Sequence, residues 1–241
     1  MKRLIKILLI ISSSLSFAQN LNENIIDLIT STLKIDKEEI NLNFVVSKPI
    51  PYMENTEMYI VPIIIEEGEG YQVLNNSIFF IENNKTLKYY LRENYKLYTD
   101  AIRLNNFEID FAQYNIQQNN RAFGVKINYS GSSSVNPSGL TTLNLYQIKN
   151  NQIINILNEF IIYRGVGENN GWDSGEYTNY ETILIVDKSS TDNYRDFIVK
   201  EKKIFYEFSE YEEKETKTKY KIKAKLKFDK KLNKYVINSR K

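Results

Sequence analysis

Cysteine and histidine are both missing from these 241 residues, and proline and glycine are scarce at 4 and 9. Without cysteine there is no disulfide and no thiolate nucleophile. Without histidine there is no Ser-His-Asp triad, no Cys-His pair and no His/Cys zinc site. No glycine-rich phosphate loop or dinucleotide fingerprint occurs either, so no cofactor is expected. Long apolar runs stop after the first eighteen residues, and none comes near the ~20 that a membrane-spanning helix needs. What remains open is carboxylate-only catalysis, a Ser/Lys pair, or binding without catalysis.

The apolar residues that do cluster are at the start. Lys2, Arg3 and Lys6 precede the run Leu4 to Leu15, and Ser16-Phe17-Ala18 places small residues where a signal peptidase inspects them. Residues 1–18 therefore read as a signal peptide cleaved before Gln19, exporting the chain to the periplasm or beyond with no transmembrane anchor afterwards. A cysteine-free exported chain must hold together by its core alone. A hydrophobic fraction of 42% and 18 tyrosines supply the material for one.

Charge is unevenly placed. Residues 19–198 hold 14 basic and 23 acidic side chains, a net of −9, whereas residues 199–241 hold 15 and 7, a net of +8. The sharpest feature is Lys217, Lys219, Lys221, Lys223, Lys225 and Lys227, alternating with Thr218, Tyr220, Ile222, Ala224, Leu226 and Phe228. A period of two places all six lysines on one face of a strand. Such a ladder suits contact with an anionic surface. It equally suits a solvated face that discourages edge pairing, or pairing with an acidic strand such as Glu207 to Glu215. No nucleic acid partner is expected.

Residues 19–40 read as a helical segment, with Leu21, Ile25, Leu28, Ile29 and Leu33 at helical spacing and Asp36 to Glu39 as a second short turn. Residues 41–241 read as β-rich. Short alternating or apolar runs, separated by Asn/Gly/Ser turns, predict a mainly β protein of antiparallel sheets, sandwich or propeller-like. Ile60 to Ile65 is apolar on both faces, so part of the sheet is expected to be buried on both sides. Asn83-Asn84 and Asn150-Asn151 each sit between apolar runs, as tight hairpin turns do. The stretch 130–139 is either a link between two halves or a mobile loop.

The segment Arg164 to Tyr177 is the strongest candidate site. It holds four of the nine glycines and the lone tryptophan, with Arg164, Glu168, Trp172, Asp173 and Glu176 as candidate binding residues. An aromatic plate beside acids and amides suits a sugar; the alternative is a turn whose Trp172 folds onto the core. Further along, Ser190 to Phe197 resembles a degenerate calcium loop of the FG-GAP propeller type, with Lys188 where calcium wants a carboxylate. It reads as a turn in which Asp196 caps backbone amides, and no metal is expected.

Thr99-Asp100-Ala101-Ile102, Ile109-Asp110-Phe111-Ala112-Gln113-Tyr114, Arg121-Ala122-Phe123-Gly124-Val125, Gly167-Glu168 and Asn193-Tyr194-Arg195-Asp196-Phe197 follow in order. Together they resemble a group of uncharacterised exported bacterial proteins, over about residues 58–199, with Asn193 where that group has glycine. The resemblance implies no activity. It implies that Asp100, Asp110, Tyr114 and Arg121 form one structural unit, an Arg-carboxylate clasp between strands.

By elimination the sequence points to an exported non-enzymatic binding protein of the cell envelope, a glycan binder or an inhibitor of a hydrolase. Its partner would be an envelope glycan or another envelope protein. The alternatives are a carboxylate-dependent glycan hydrolase, which needs two facing acids, and a structural partner in an envelope assembly. With no histidine, stability is expected to vary little between about pH 6 and 8.

Overall fold

The computed structural model describes residues 21–99, 102–171 and 173–238, so residues 1–18, where a signal peptide is expected, and Asp100 and Trp172 lie outside the described residues. It is a mainly antiparallel β sandwich with one α-helix at its N-terminal end. The helix, α1, spans Glu23–Leu33. Asn22 caps it by accepting the Asn24 N–H at 3.0 Å, and Lys34 ends it in the left-handed conformation. The expected helical segment therefore stops earlier than residue 40. Its second turn is a one-turn 3-10 helix, Lys37–Glu39, in which the Glu39 carboxylate accepts the Asp36 N–H at 2.9 Å.

The first sheet contains β1 (Val46–Pro49), β2 (Thr56–Gly68), β3 (Tyr71–Glu82) and β4 (Thr86–Thr99), paired in that order. The second is nine-stranded. It runs β5 (Ile102–Gln117), β6 (Asn120–Gly131), β7 (Ser138–Lys149), β8 (Gln152–Asn169), β9 (Gly175–Thr191) and β10 (Tyr194–Phe208). Then come β12 (Lys221–Asp229) and β13 (Lys234–Asn238), while β11 (Glu213–Lys217) lies end to end with β12 along the same edge of β10.

Three packed layers of side chains hold these elements together. Ile25, Ile26 and Ile29 of α1 cover Tyr59, Val61, Ile63 and Phe79 on the outer face of the first sheet. Met58, Ile60, Ile78 and Phe80 on its inner face meet Phe107, Phe123, Val125 and Tyr146 of the second. β2 is thus buried on both sides, as its unbroken apolar run requires. The third layer arises because β8 pairs with β9 only from Tyr163 opposite Glu181 outward. Below that point the two strands part, and β10, β12 and β13 fold across β5 to β8, enclosing Leu145, Leu157, Phe197, Leu226 and Tyr235.

Local turn chemistry sets the hairpins. Asn83 and Asn84 have φ of 52° and 56°, and Asn150 and Asn151 have 51° and 60°, the left-handed pair that a two-residue hairpin demands. Asp192 and Asn193 repeat it at 51° and 68° between β9 and β10, a left-handed backbone that both residue types tolerate. The stretch 130–139 is the connection of the β6–β7 hairpin, whose strands pair directly at Ser130 and Gly139.

Within the described residues of the expected clasp, Asp110 pairs with Tyr114 and not with Arg121. Asp110 accepts the Tyr114 hydroxyl at 2.9 Å and the Ala112 N–H at 2.8 Å, and its nearest cation is Lys126 at 3.6 Å. Arg121 does not pair with a carboxylate among the described residues. A wide bulge leaves residues 111–113 opposite a single residue of β6, which turns the Phe111 carbonyl toward the guanidinium, and Arg121 also stacks on Tyr52 at 4.8 Å.

Candidate functional site

Residues 163–169, 175–181, 202–208 and 213–217 carry β8 to β11 past the end of the sandwich as an arm with no second layer. No residue of β9 is buried, and all of β11 is exposed. The β6–β7 connection braces this arm. The Gly167 N–H donates to the Pro137 carbonyl and the Asn169 N–H to the Val135 carbonyl, each at 2.9 Å, and the Asn169 amide donates to the Ser134 carbonyl at 2.7 Å.

Directly opposed residues share a face, so the register assigns the two surfaces of the arm. One carries Tyr163, Gly165 and Gly167, then Gly175, Tyr177 and Asn179, then Ile204, Tyr206 and Phe208. Its rings lie down on the sheet where glycine leaves room. A methyl group at Gly167 would meet the Tyr177 ring at 2.3 Å, and one at Gly175 would meet Phe208 at 2.9 Å. A methyl at Gly139 would meet Tyr163 at 3.3 Å. Tyr177 and Phe208 are nearly parallel, 17° apart with centroids at 5.9 Å. The Tyr163 hydroxyl donates to the Asn179 carbonyl oxygen at 3.1 Å, which fixes its ring over the strand. The surface is a shallow pavement of aromatic rings edged by amides and hydroxyls.

The other surface is acidic. Glu168, Glu176 and Glu207 are directly opposed on three successive strands, and the row ends at Lys214. Like charges placed across a ladder weaken it, so this row does not stabilise the sheet. With Glu212, Asn170 and Ser174 these groups border an open groove of about 620 Å³ at the tip. Closer to the body Arg164 lies 4.0 Å over the Tyr180 ring. It stands at the rim of a second groove of about 620 Å³, opened where β8 and β9 part and lined by Leu157, Phe160, Leu226 and Ile237.

Of the five residues the sequence nominated, Glu168 and Glu176 come together at the tip and Arg164 stands further along the same face. Asp173 instead shapes the loop: its carboxylate accepts the Asn170 side-chain amide at 2.9 Å, and its own backbone N–H donates to Asn170 Oδ1 at 3.2 Å. Glu207, Glu212 and Lys214 complete the acidic groove from 30 or more residues away, a pairing that no local pattern announces. The ring pavement had a signal: Tyr163-x-Gly165-x-Gly167 and Gly175-x-Tyr177 put glycine and tyrosine on one face of a strand.

The lysine ladder does not share one face. Residues 218–220 interrupt the strand and a bulge at Lys223 shifts the register, so Lys217 opposes Ile204 whereas Lys221 opposes Glu201 and Lys225 opposes Ile198. An odd offset along β10 turns Lys217 and Lys225 to the side opposite Lys221. Several are in ion pairs: Lys217 with Glu215 at 2.8 Å, Lys223 with Glu201 at 2.6 Å, and Lys225 with Asp187 at 2.7 Å. Lys225 and the Ser189 hydroxyl hold the Asp187 carboxyl down at about 2. Asp196, 2% exposed, accepts the Ser189 hydroxyl at 2.7 Å and lies 3.4 Å from the partly exposed Lys225, an ion-pair network where an amide cap was expected. Lys219 and Lys227 complete the ladder, Lys219 exposed between the strands and Lys227 half-buried on β12. No family model, no curated protein and no solved structure matches the chain, so its functional reading rests on the arm itself.

Proposed function

We propose that the chain is an exported, non-enzymatic binding protein of the cell envelope, and that its ligand is a glycan lying along the paved face of the arm. The observation that carries this reading is the set of rings laid flat over Gly139, Gly167 and Gly175. A pyranose presents a flat C–H face and a polar rim, and a ring pavement edged by Asn179 and Tyr206 offers the complementary pair of surfaces. Export is part of this reading and rests on the pattern of residues 1–18. A hydrolase inhibitor that engages an enzyme through the acidic groove is the companion version of the same non-catalytic reading.

The test is co-sedimentation with insoluble polysaccharides, peptidoglycan sacculi among them, using the wild type, Tyr177→Ala and Phe208→Ala. Retention by the wild type and a loss of about tenfold or more in each variant is expected, since each ring contributes on the order of 1 kcal/mol or more. Equal retention by all three removes the pavement from consideration. The glutamate row supports a second reading, a carboxylate-dependent glycan hydrolase, in which two of Glu168, Glu176 and Glu207 act as acid and base. Sugar release abolished by Glu176→Gln, with binding intact, would establish it. Intact glycosides across a broad panel would end it.

A further inference from the structure

The arm ends in an edge. β11 pairs with β10 on one side, and among the described residues nothing pairs with the other. An exposed edge strand is a template for another strand, and charged side chains usually blunt it. Here the charges are arranged so that they favour one particular guest. The geometry points to β11 as the seam of a homodimer, joined antiparallel to β11 of a second copy about a two-fold axis at Thr216.

Backbone direction restricts which registers are open. The Thr218 N–H donates to the Lys203 carbonyl at 2.9 Å, so Thr218, and by alternation Thr216 and Lys214, turn their backbone groups toward β10. Glu213, Glu215 and Lys217 therefore turn theirs outward. In an antiparallel pair, residues that oppose one another must match in that direction and in the face they share. Two copies related by a two-fold axis must accordingly centre on a residue rather than between residues. Centring on Lys214 sets it against itself and puts Glu213 opposite the partner's Glu215. Centring on Glu215 or on Lys217 puts like charges face to face on the axis. Centring on Thr216 places Glu215 opposite the partner's Lys217, twice by symmetry, and brings Glu213 level with the partner's Lys219 just past the end of the strand. The outward backbone groups of Glu215 and Lys217 then exchange hydrogen bonds with those of the second copy. On each chain the 2.8 Å contact between Glu215 and Lys217 already gathers the two charges on one face.

A seam of one short strand buries little, so the dimer is weak, concentration-dependent and weakened by salt. It stands independently of the glycan reading, since it uses the edge of the arm and not its faces. The experiment is sedimentation equilibrium of the full chain over a range of concentrations, at low and moderate salt. The wild type is expected to dimerise. Glu215→Pro removes an outward N–H without touching the bonds to β10, and should leave a folded monomer. Lys217→Glu sets Glu215 against a carboxylate and should raise the dissociation constant by about tenfold or more. The double exchange Glu215→Lys/Lys217→Glu restores opposite charges and should restore the dimer. Because the chain has no cysteine, Thr216→Cys offers a unique probe: opposed residues at a non-hydrogen-bonded position are close enough for a disulfide. Thr216→Cys should cross-link two copies on oxidation, and Lys214→Cys should not. A chain monomeric at every concentration, a dimer indifferent to Glu215→Pro, or equal cross-linking by both cysteines would each overturn the proposal.

Discussion

β6 and β7, at the centre of the body, are covered on both faces, whereas the outer parts of β8 to β11, only a strand or two further on in the same sheet, have no second layer over them. In β6, Phe123 and Val125 pack against the first sheet while Ala122 packs against the fold-over of the second. In the arm, sheet order is kept by rings resting on glycine, a braced connection and surface ion pairs. Hydrophobic burial supplies most of the favourable free energy of folding, so the body holds the stability and the arm is carried by it. That division leaves the arm able to place like charges side by side, which the body could not tolerate.

The contrast makes equal deletions unequal. Phe123 is 1% exposed, with Phe80 at 5.1 Å and Tyr146 at 5.4 Å, and Phe123→Ala should cost about 3–5 kcal/mol in urea unfolding. Phe205 is half-buried in the arm with Lys203 above it at 5.9 Å, and Phe205→Ala should cost about 1 kcal/mol. Similar losses at the two positions would mean that the arm has a covering layer after all, and would break the comparison.

How much of this was legible in the sequence follows the same line. Period-two alternation located the strands of the body, and Asn83-Asn84 and Asn150-Asn151 located two hairpins, because both signals are local. The helix and the short turn at Asp36 to Glu39 were also legible, whereas the left-handed turn at Lys34 that separates them carries no glycine to announce it. The lysine ladder was misread for a structural reason: one bulge at Lys223 and a break at residues 218–220 are enough to turn side chains to the other face. Of the site, Glu168 and Glu176 were legible through their glycine-rich context. Glu207 and Lys214 were not, because only the pairing of β10 with β9 and β11 brings them near.

A polar seam in the body sharpens the comparison further. Glu93, 7% exposed, lies beside Tyr146 and within reach of Lys234, and burial pushes its carboxyl above the usual range against the smaller opposing pull of those two groups. A raised carboxylate in the folded state binds its proton more tightly than in the unfolded chain. Its stabilising contribution is therefore complete below the ordinary glutamate range and is lost as pH rises through the folded value. Glu93→Gln should abolish that slope and be the more stable protein at neutral pH, with the two converging in acid. Parallel stability curves from acid to neutral pH would remove Glu93 as the source of any pH dependence.

The smallest expected effect belongs to the surface, at the foot of the arm. Lys223 is about half exposed and meets Glu201 at 2.6 Å, so its Coulomb gain is set against solvent and side-chain entropy. Lys223→Ala should cost only about 0.2–1 kcal/mol in dilute buffer. The difference should shrink as salt is raised from low to moderate concentration, because exposed charges a few ångströms apart are screened by mobile ions. Phe123→Ala, whose cost is cavity and lost burial, should keep its full effect over the same range. If the lysine variant instead lost several kcal/mol and held that loss in salt, the pair would be acting as a desolvated clamp where β12 meets β10. The foot of the arm would then belong energetically to the body, and the boundary between the two regions would move outward along β10.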